Sequence, residues 1–217
     1  PAGWCADAGR AVDVAAGAGP TADVLVEAGV DRVLAADAAP EMVATAASSP
    51  GVEGIVADAE RLPLVADCVD AATCRIAAHH FPDPVAFVEA VARVLEPGGT
   101  FAFEDNVAPD DAALDDFLND VERRRDPTHV RSHPVADWVG WLDAAGFTVE
   151  ATDVITKALD YEAWLGTVDA PPARRRRVAA AFEDPPPGAA DAFSIRDDDA
   201  GGVASFENWK LLVRATR

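Results

Sequence analysis

The chain has 217 residues, half of them hydrophobic, enough for one domain to bury a full core, and Asp, Arg, Gly or Pro interrupts every candidate run of about 20 apolar residues, which excludes a membrane-spanning helix. Its 38 acidic residues stand against 18 basic ones, a formal net charge of -20, so duplex nucleic acid would be repelled. The acids are spread through every segment, lysine occurs only at Lys157 and Lys210, and the apolar residues lean to Ala and Val; the pattern suggests a halophile, because in molar salt the Debye length is roughly 3 Å and self-repulsion is screened.

Along the chain, short apolar runs alternate with helical patterns, which predicts a doubly wound α/β fold over one domain, 1–217. The first strand is Arg10 to Ala15, followed by the loop Ala16 to Gly19 and a helix opened by Pro20 and closed by Gly29. Val30 to Asp37 reads as the second strand, Pro40 to Ala47 as a helix, Val52 to Asp58 as the third strand and Val69 to Ile76 as the fourth. A helix from Pro84 to Leu95 ends in the breaker Pro97-Gly98-Gly99, after which Thr100 to Glu104 is a fifth strand. From Pro109 the pattern changes to a charged helix, Asp111 to Arg125, a loop, Asp126 to His133, and a helix, Val135 to Ala145. Phe147 to Asp153 and Ser205 to Ala215 read as closing strands, separated by helices near Tyr161 to Thr167 and Ala173 to Phe182 and a Pro-rich loop. The segments 106–135 and 156–200 are expected as insertions on the substrate side, the later one, Asp160 to Asp199, as a mobile cover.

The stretch Arg-Ala-Val-Asp-Val-Ala-Ala-Gly-Ala-Gly, Arg10 to Gly19, runs a strand into a small-residue turn at the mouth of a helix, where a ligand can sit against backbone. Nucleotide, dinucleotide and S-adenosylmethionine folds all use such a turn. Asp37 follows about 20 residues on, at a strand end, where a carboxylate can accept hydrogen bonds from a ribose diol. Asp58 ends the third strand, in reach of an adenine amino group.

With these go Ala36-Asp37-Ala38-Ala39-Pro40-Glu41-Met42, Ala57-Asp58-Ala59-Glu60-Arg61-Leu62-Pro63, Val69 to Phe81 with its Cys74-Arg75-Ile76-Ala77-Ala78-His79-His80, and Arg93-Val94-Leu95-Glu96-Pro97-Gly98-Gly99. Together, in this order, the segments resemble the class I S-adenosylmethionine methyltransferases, and within them the ubiquinone/menaquinone C-methyltransferase-like group. The resemblance spans nearly the whole chain. It implies a Rossmann-like sheet of seven strands, mostly parallel with an antiparallel closing strand, helices on both faces, and S-adenosylmethionine as cofactor. It also implies that Asp13 and the loop Ala15 to Gly19, with Gly17 and Gly19, hold the amino-acid end of the cofactor and Asp37 the ribose. Ala38 and Met42 would face the adenine, Asp58 and the Ala59 amide would hold its edge, and Cys74 and Arg75 would lie alongside the sulfonium. Ala15 departs from the family, which more often has Gly there; Ala fits where its backbone angles are ordinary.

Methyl transfer from a sulfonium is an in-line displacement, so orientation is the main catalytic demand. A phenol, enol or ring-carbon acceptor also needs a base, for which His is suited near neutral pH. His79 and His80 follow the fourth strand, where active-site loops of such folds gather, and His129 with His133 offers a second candidate wall. The runs Arg123 to Arg125 and Arg174 to Arg177 make no single basic face, since successive helical residues point about 100 degrees apart, and read as solvated or salt-bridged charge. Cys5, Cys68 and Cys74 lack disulfide or zinc spacing and read as buried thiols of a reducing cytoplasm, with no metal site. A short-chain reductase would need Lys four residues after Tyr161, where Leu165 stands, and a P-loop enzyme would need Gly-Lys-Ser/Thr after the glycine turn. The expected partners are a small-molecule methyl acceptor and, at most, a second copy of the chain; the alternative is a catalytically silent domain that binds cofactor or partner. With Pro1 first and no initiating Met, some N-terminal sequence is expected to be absent.

Overall fold

The computed structural model describes residues 2–168, 170–199 and 201–217. In chain order its elements are β1 (Arg10–Val14), α1 (Pro20–Glu27), β2 (Arg32–Asp37), α2 (Pro40–Ala46), β3 (Val52–Val56), β4 (Val69–Arg75), α3 (Pro84–Val94) and β5 (Leu95–Val107). Then follow α4 (Ala112–Arg125), α5 (Val135–Ala144), β6 (Thr148–Asp160), α6 (Tyr161–Gly166), α7 (Pro172–Phe182), α8 (Ala189–Ala192), β7 (Arg196–Asp197) and β8 (Val203–Thr216). The strands form one sheet in the order β3-β2-β1-β4-β5-β8-β6, with β7 pairing with β8. β3 to β5 run parallel. The end of β8 meets the start of β5 antiparallel: the Gly98 amide donates to the Arg217 carbonyl and the Arg217 amide to the Gly99 carbonyl, at 2.7 and 3.0 Å.

Order reverses between β1 and β4, the position at which open parallel sheets leave a ligand crevice beyond their strand ends. β1 is central, and Ala11, Val12, Asp13 and Val14 are buried in succession, as a strand covered on both faces requires. Proline opens α1, α2 and α3, where its missing N–H costs no helical bond. α3 buries Phe87, Val88, Val91 and Val94, and Phe87 meets Phe101 of β5 edge-on at 6.0 Å.

Contacts divide the chain into two compact units, Pro1–Asp105 with Ala136–Asp153 and Leu211–Arg217, and Asn106–Val135 with Val154–Lys210. The second unit has its own aromatic core, in which Trp164 packs on Phe206 at 4.9 Å and the Arg125 guanidinium lies 4.8 Å from the Trp164 ring. The segments 106–135 and 156–200 fall within it, except that Asp169 and Ala200 lie outside the described residues. Among the described residues no helix is long and apolar enough to cross a membrane.

Several boundaries differ from expectation. β5 begins at Leu95 and takes in Pro97-Gly98-Gly99 rather than starting at Thr100. Leu95 pairs with Val69 and the ladder resumes at Ala71 with Thr100, so the four residues between bulge out of the pairing, and the Gly98 and Gly99 bonds to Arg217 hold them on the other side. β6 runs seven residues beyond the expected Asp153, to Asp160, where the Asp160 carboxylate caps α6 by accepting from the Ala163 amide. The arginine runs do pair with acids, Arg124 with Asp120, Arg125 with Glu122 and Arg175 with Glu162.

Candidate functional site

The turn after β1 is built from three left-handed residues, Ala15 (φ 54), Gly17 (φ 56) and Gly19 (φ 91). Gly19 also lies against α2 so closely that a Cβ would fall 2.8 Å from that of Ala46, so this position needs glycine on two counts. Ala15 does not have the ordinary angles under which alanine fits without strain. A left-handed alanine costs about 1–2 kcal/mol, and the turn that imposes it is held by the bonds that follow: the Ala16 amide donates to the Ala36 carbonyl at 3.1 Å and the Gly19 amide to the Ala16 carbonyl at 3.0 Å.

Asp37, at the end of β2, ties this turn down. Its Oδ2 accepts from the Gly17 amide at 2.8 Å and its Oδ1 from the Ala39 amide at 2.9 Å. Each carboxylate oxygen has two acceptor positions, so both retain capacity for a further donor. Asp37 lines a cavity of about 380 Å³ together with Ala15, Ala38, Ala57, Asp58 and Ala59, and Glu60, His80, Phe81 and Pro82 complete its lining. Asp58 caps the turn that follows it, accepting from the Glu60 amide at 3.0 Å. Two neighbouring strand ends thus bring two carboxylates to one hollow beside the turn.

Asp13 is not on that wall. It is buried in β1, where its Oδ1 accepts from the Thr73 hydroxyl at 2.7 Å and its Oδ2, also buried, meets no donor in good hydrogen-bond geometry among the described residues. Burial raises its pKa to about 7, against the pull of the Thr73 hydroxyl, the Ala22 amide and Arg75. An unsatisfied buried carboxyl oxygen beside a nucleotide-type turn suits a cationic ligand group.

Of the other expected residues, Gly17 and Gly19 shape the turn, while Met42 on α2 is 40% exposed and lines no part of the cavity. Cys74 is fully buried, and its thiol is pushed well above the usual range by burial, then by Asp105 and Asp13. Arg75 is half-exposed and paired with Glu104, Nε to Oε2 3.0 Å.

The structure separates the histidines. His79 is buried, with its Nδ1 2.6 Å from Asp105 Oδ1, and the Asp105 Oδ2 accepts the amides of His79 and Ala77 at 3.0 and 3.2 Å. His80 lies in ring contact with His79, centroids 4.2 Å apart, and faces the cavity. Just before them Ile76, a β-branched residue, has φ 53, and its amide donates to the Glu104 carbonyl at 2.7 Å; such an outlier persists only where its surroundings over-determine it. His129 belongs to the second unit, where it is tied into a buried network: its Nε2 is 3.0 Å from Asn119 Oδ1, which also accepts the Ser132 amide at 2.7 Å. That network continues from the Asn119 amide group to Asp115 Oδ1 at 2.6 Å, and Asp115 pairs with Arg131 at 2.5 Å.

Sequence reasoning passed over Asp105, Thr73, Phe81 and Glu60. Asp105 stands one residue past the expected end of the fifth strand, beside the strand that delivers the two histidines, and a carboxylate there is the signal that was available.

Residues 12–103 match the family described as a methyltransferase domain. The chain is 34% identical over 170 residues to the uncharacterized methyltransferase YcgJ of Bacillus subtilis, an alignment covering 77% of this chain and 67% of that protein. The crystal structure of YcgJ superposes with a TM-score of 0.90 at 32% identity, covering 96% of this chain and 91% of that one. A Bacillus halodurans protein described as a methyltransferase superposes at 0.91 with 32% identity, covering 95% and 91%.

Proposed function

The chain belongs to the class I S-adenosylmethionine-dependent methyltransferases, and we propose that it transfers the methyl group to a small-molecule acceptor by in-line displacement, in the manner of the quinone-precursor methyltransferases its sequence resembles. The observation that carries this reading is the cavity lined by both Asp37 and Asp58 together with Ala15 of the left-handed turn.

The residues present fit the cofactor. Asp37 keeps acceptor capacity for two neighbouring ribose hydroxyls, Asp58 with the Ala59 amide suits the adenine edge, and Ala38 its face. Asp13 and the turn from Ala15 to Gly19 would hold the amino-acid end, whose ammonium matches the unsatisfied Oδ2 of Asp13. Bound there, the cofactor supplies a methyl carbon made electrophilic by a sulfonium. The protein then has to hold an acceptor about 3 Å from that carbon, opposite sulfur. Arg75, next to the place the sulfonium would take, is neutralised by Glu104, so it need not repel it. Proton removal falls to the pair His79 and His80 rather than to His129, whose Nε2 is engaged with Asn119.

Calorimetry with S-adenosylmethionine, S-adenosylhomocysteine and, as control, NAD tests the reading. Binding of both sulfur nucleosides and not NAD is expected; NAD binding in their place would overturn it. The acceptor is then found by incubating the protein with methyl-labelled cofactor and an extract of its own organism and identifying the labelled product.

A further inference from the structure

Two loops that line the cavity come from different strands: residues 57–60 follow β3, and residues 80–82 follow β4. β2 and β1 stand between those strands in the sheet, so strand pairing alone leaves the distance between the loops open. A run of carboxylate–amide bonds closes it. The Glu60 amide donates to Asp58 Oδ1 at 3.0 Å, the Asp83 amide to Glu60 Oε1 at 2.7 Å, and the Ala86 amide to Asp83 Oδ1 at 3.0 Å. The last of these caps α3, whose Phe87, Val88 and Val91 are buried, so the loop after β3 is fastened to a helix anchored in the core. The far end of α3 repeats the attachment, with the two terminal nitrogens of Arg93 donating to the Leu62 and Leu64 carbonyls, each at 2.6 Å. Both ends of α3 thus hold the segment 58–64.

We propose that Glu60 is a positioning residue for the adenine of the cofactor: by accepting the Asp83 amide it sets the separation between Asp58 with the Ala59 amide, on one loop, and Phe81, on the other. Phe81 is the largest apolar side chain in the cavity lining, and its ring meets the buried Phe87 edge-on at 4.9 Å, so this loop too is referred to α3. With the two loops locked to one helix, a base between them meets a fixed width and a fixed acceptor. Adenine offers Asp58 an amino donor, whereas hypoxanthine would offer a carbonyl oxygen that a carboxylate cannot satisfy. A rigid pair of loops enforces that difference, because neither can retreat to let the wrong edge avoid Asp58. The length of the Glu60 side chain and one acceptor oxygen at its end are what the role demands; the negative charge is not. The ligand's identity rests on the methyltransferase reading, but the tie between the loops does not.

The test joins amide exchange, followed by nitrogen–proton NMR, with calorimetry on the full chain. The Asp83 amide should exchange slowly in wild type and in Glu60→Gln, and roughly tenfold or more faster in Glu60→Ala. Affinity for S-adenosylhomocysteine should fall about tenfold in Glu60→Ala and stay within about twofold in Glu60→Gln, whose carbonyl accepts the same hydrogen. The preference for S-adenosylhomocysteine over S-inosylhomocysteine, its hypoxanthine counterpart, should shrink about fivefold in Glu60→Ala, whereas a merely structural role would weaken both ligands alike. An Asp83 amide that exchanges in the wild type as fast as an unstructured one, a measurement needing no variant, would overturn the proposal. So would unchanged affinity in Glu60→Ala, an equal loss in Glu60→Gln, or an unaltered preference between the two ligands. A wild type that binds neither S-adenosylmethionine nor S-adenosylhomocysteine overturns the methyltransferase reading, and the adenine role with it, while slow Asp83 exchange would still mark the tie between the loops.

Discussion

Asp37 commits both carboxylate oxygens to loop amides before any ligand arrives, which makes it a brace for the turn as well as a ribose acceptor. Hydrogen bonds to a charged group contribute roughly 1.5–3 kcal/mol. Asp37→Ala should therefore weaken S-adenosylmethionine binding by about ten- to a hundredfold in calorimetry with the fold retained, and equal affinity would remove the role given to it. Asp13 makes a prediction of a different kind. Its folded pKa of about 7 lies above the ordinary 3.8, so the folded chain keeps a proton that the unfolded chain releases between those values. Stability is then greatest below the lower value and declines as pH rises through about 7. Melting temperatures from pH 5 to 8 should show a decline that Asp13→Asn abolishes. Saturating S-adenosylmethionine should flatten it too, because an ammonium beside the carboxyl favours ionisation and displaces the proton; the same decline in wild type and variant would mean that another group titrates.

At the scale of elements, most of the fold could be read in advance because β1 to β5 and their helices are punctuated by residues with few alternatives, proline at helix openings and glycine at left-handed turns. The positions of Asp37 and Asp58 were legible for the same reason, as acids at strand ends. What escaped notice depended on contacts distant in sequence. The angles of Ala15 follow from its neighbours' bonds to β2, not from its own chemistry, and the Asp105–His79 pair spans 26 residues. β6 also runs past its expected end, and it is exposed along nearly its whole length, so no buried face marks where it stops. We propose that the described residues of Asp160 to Asp199, rich in loops and short helices, move more than the sheet. Their amides should exchange hydrogen faster than those of Val12–Val14 in the central strand; equal protection would end that idea.

For the whole molecule, the dominant fact is its acidity. Many of its arginines are already paired with carboxylates, as Arg32 is with Glu53 and Arg214 with Glu150, and exposed pairs of this kind contribute only about 0–1 kcal/mol each. The surplus acids repel one another without compensation. If the chain is matched to molar salt, as its composition suggests, its melting temperature should climb steadily from dilute buffer into molar KCl, and a flat or falling profile would remove that reading. The course of β8 has a separate consequence for how the molecule is made. Leu211–Arg217 belongs to the first unit and borders β5, yet a ribosome adds it after every other part of that unit. Until those residues emerge, β5 has an unpaired edge on the growing chain, open to pairing with a neighbouring nascent chain. Translation therefore passes through a period, lasting while more than a hundred residues after β5 are added, in which a nearly finished sheet depends on chaperones or on dilution to stay single.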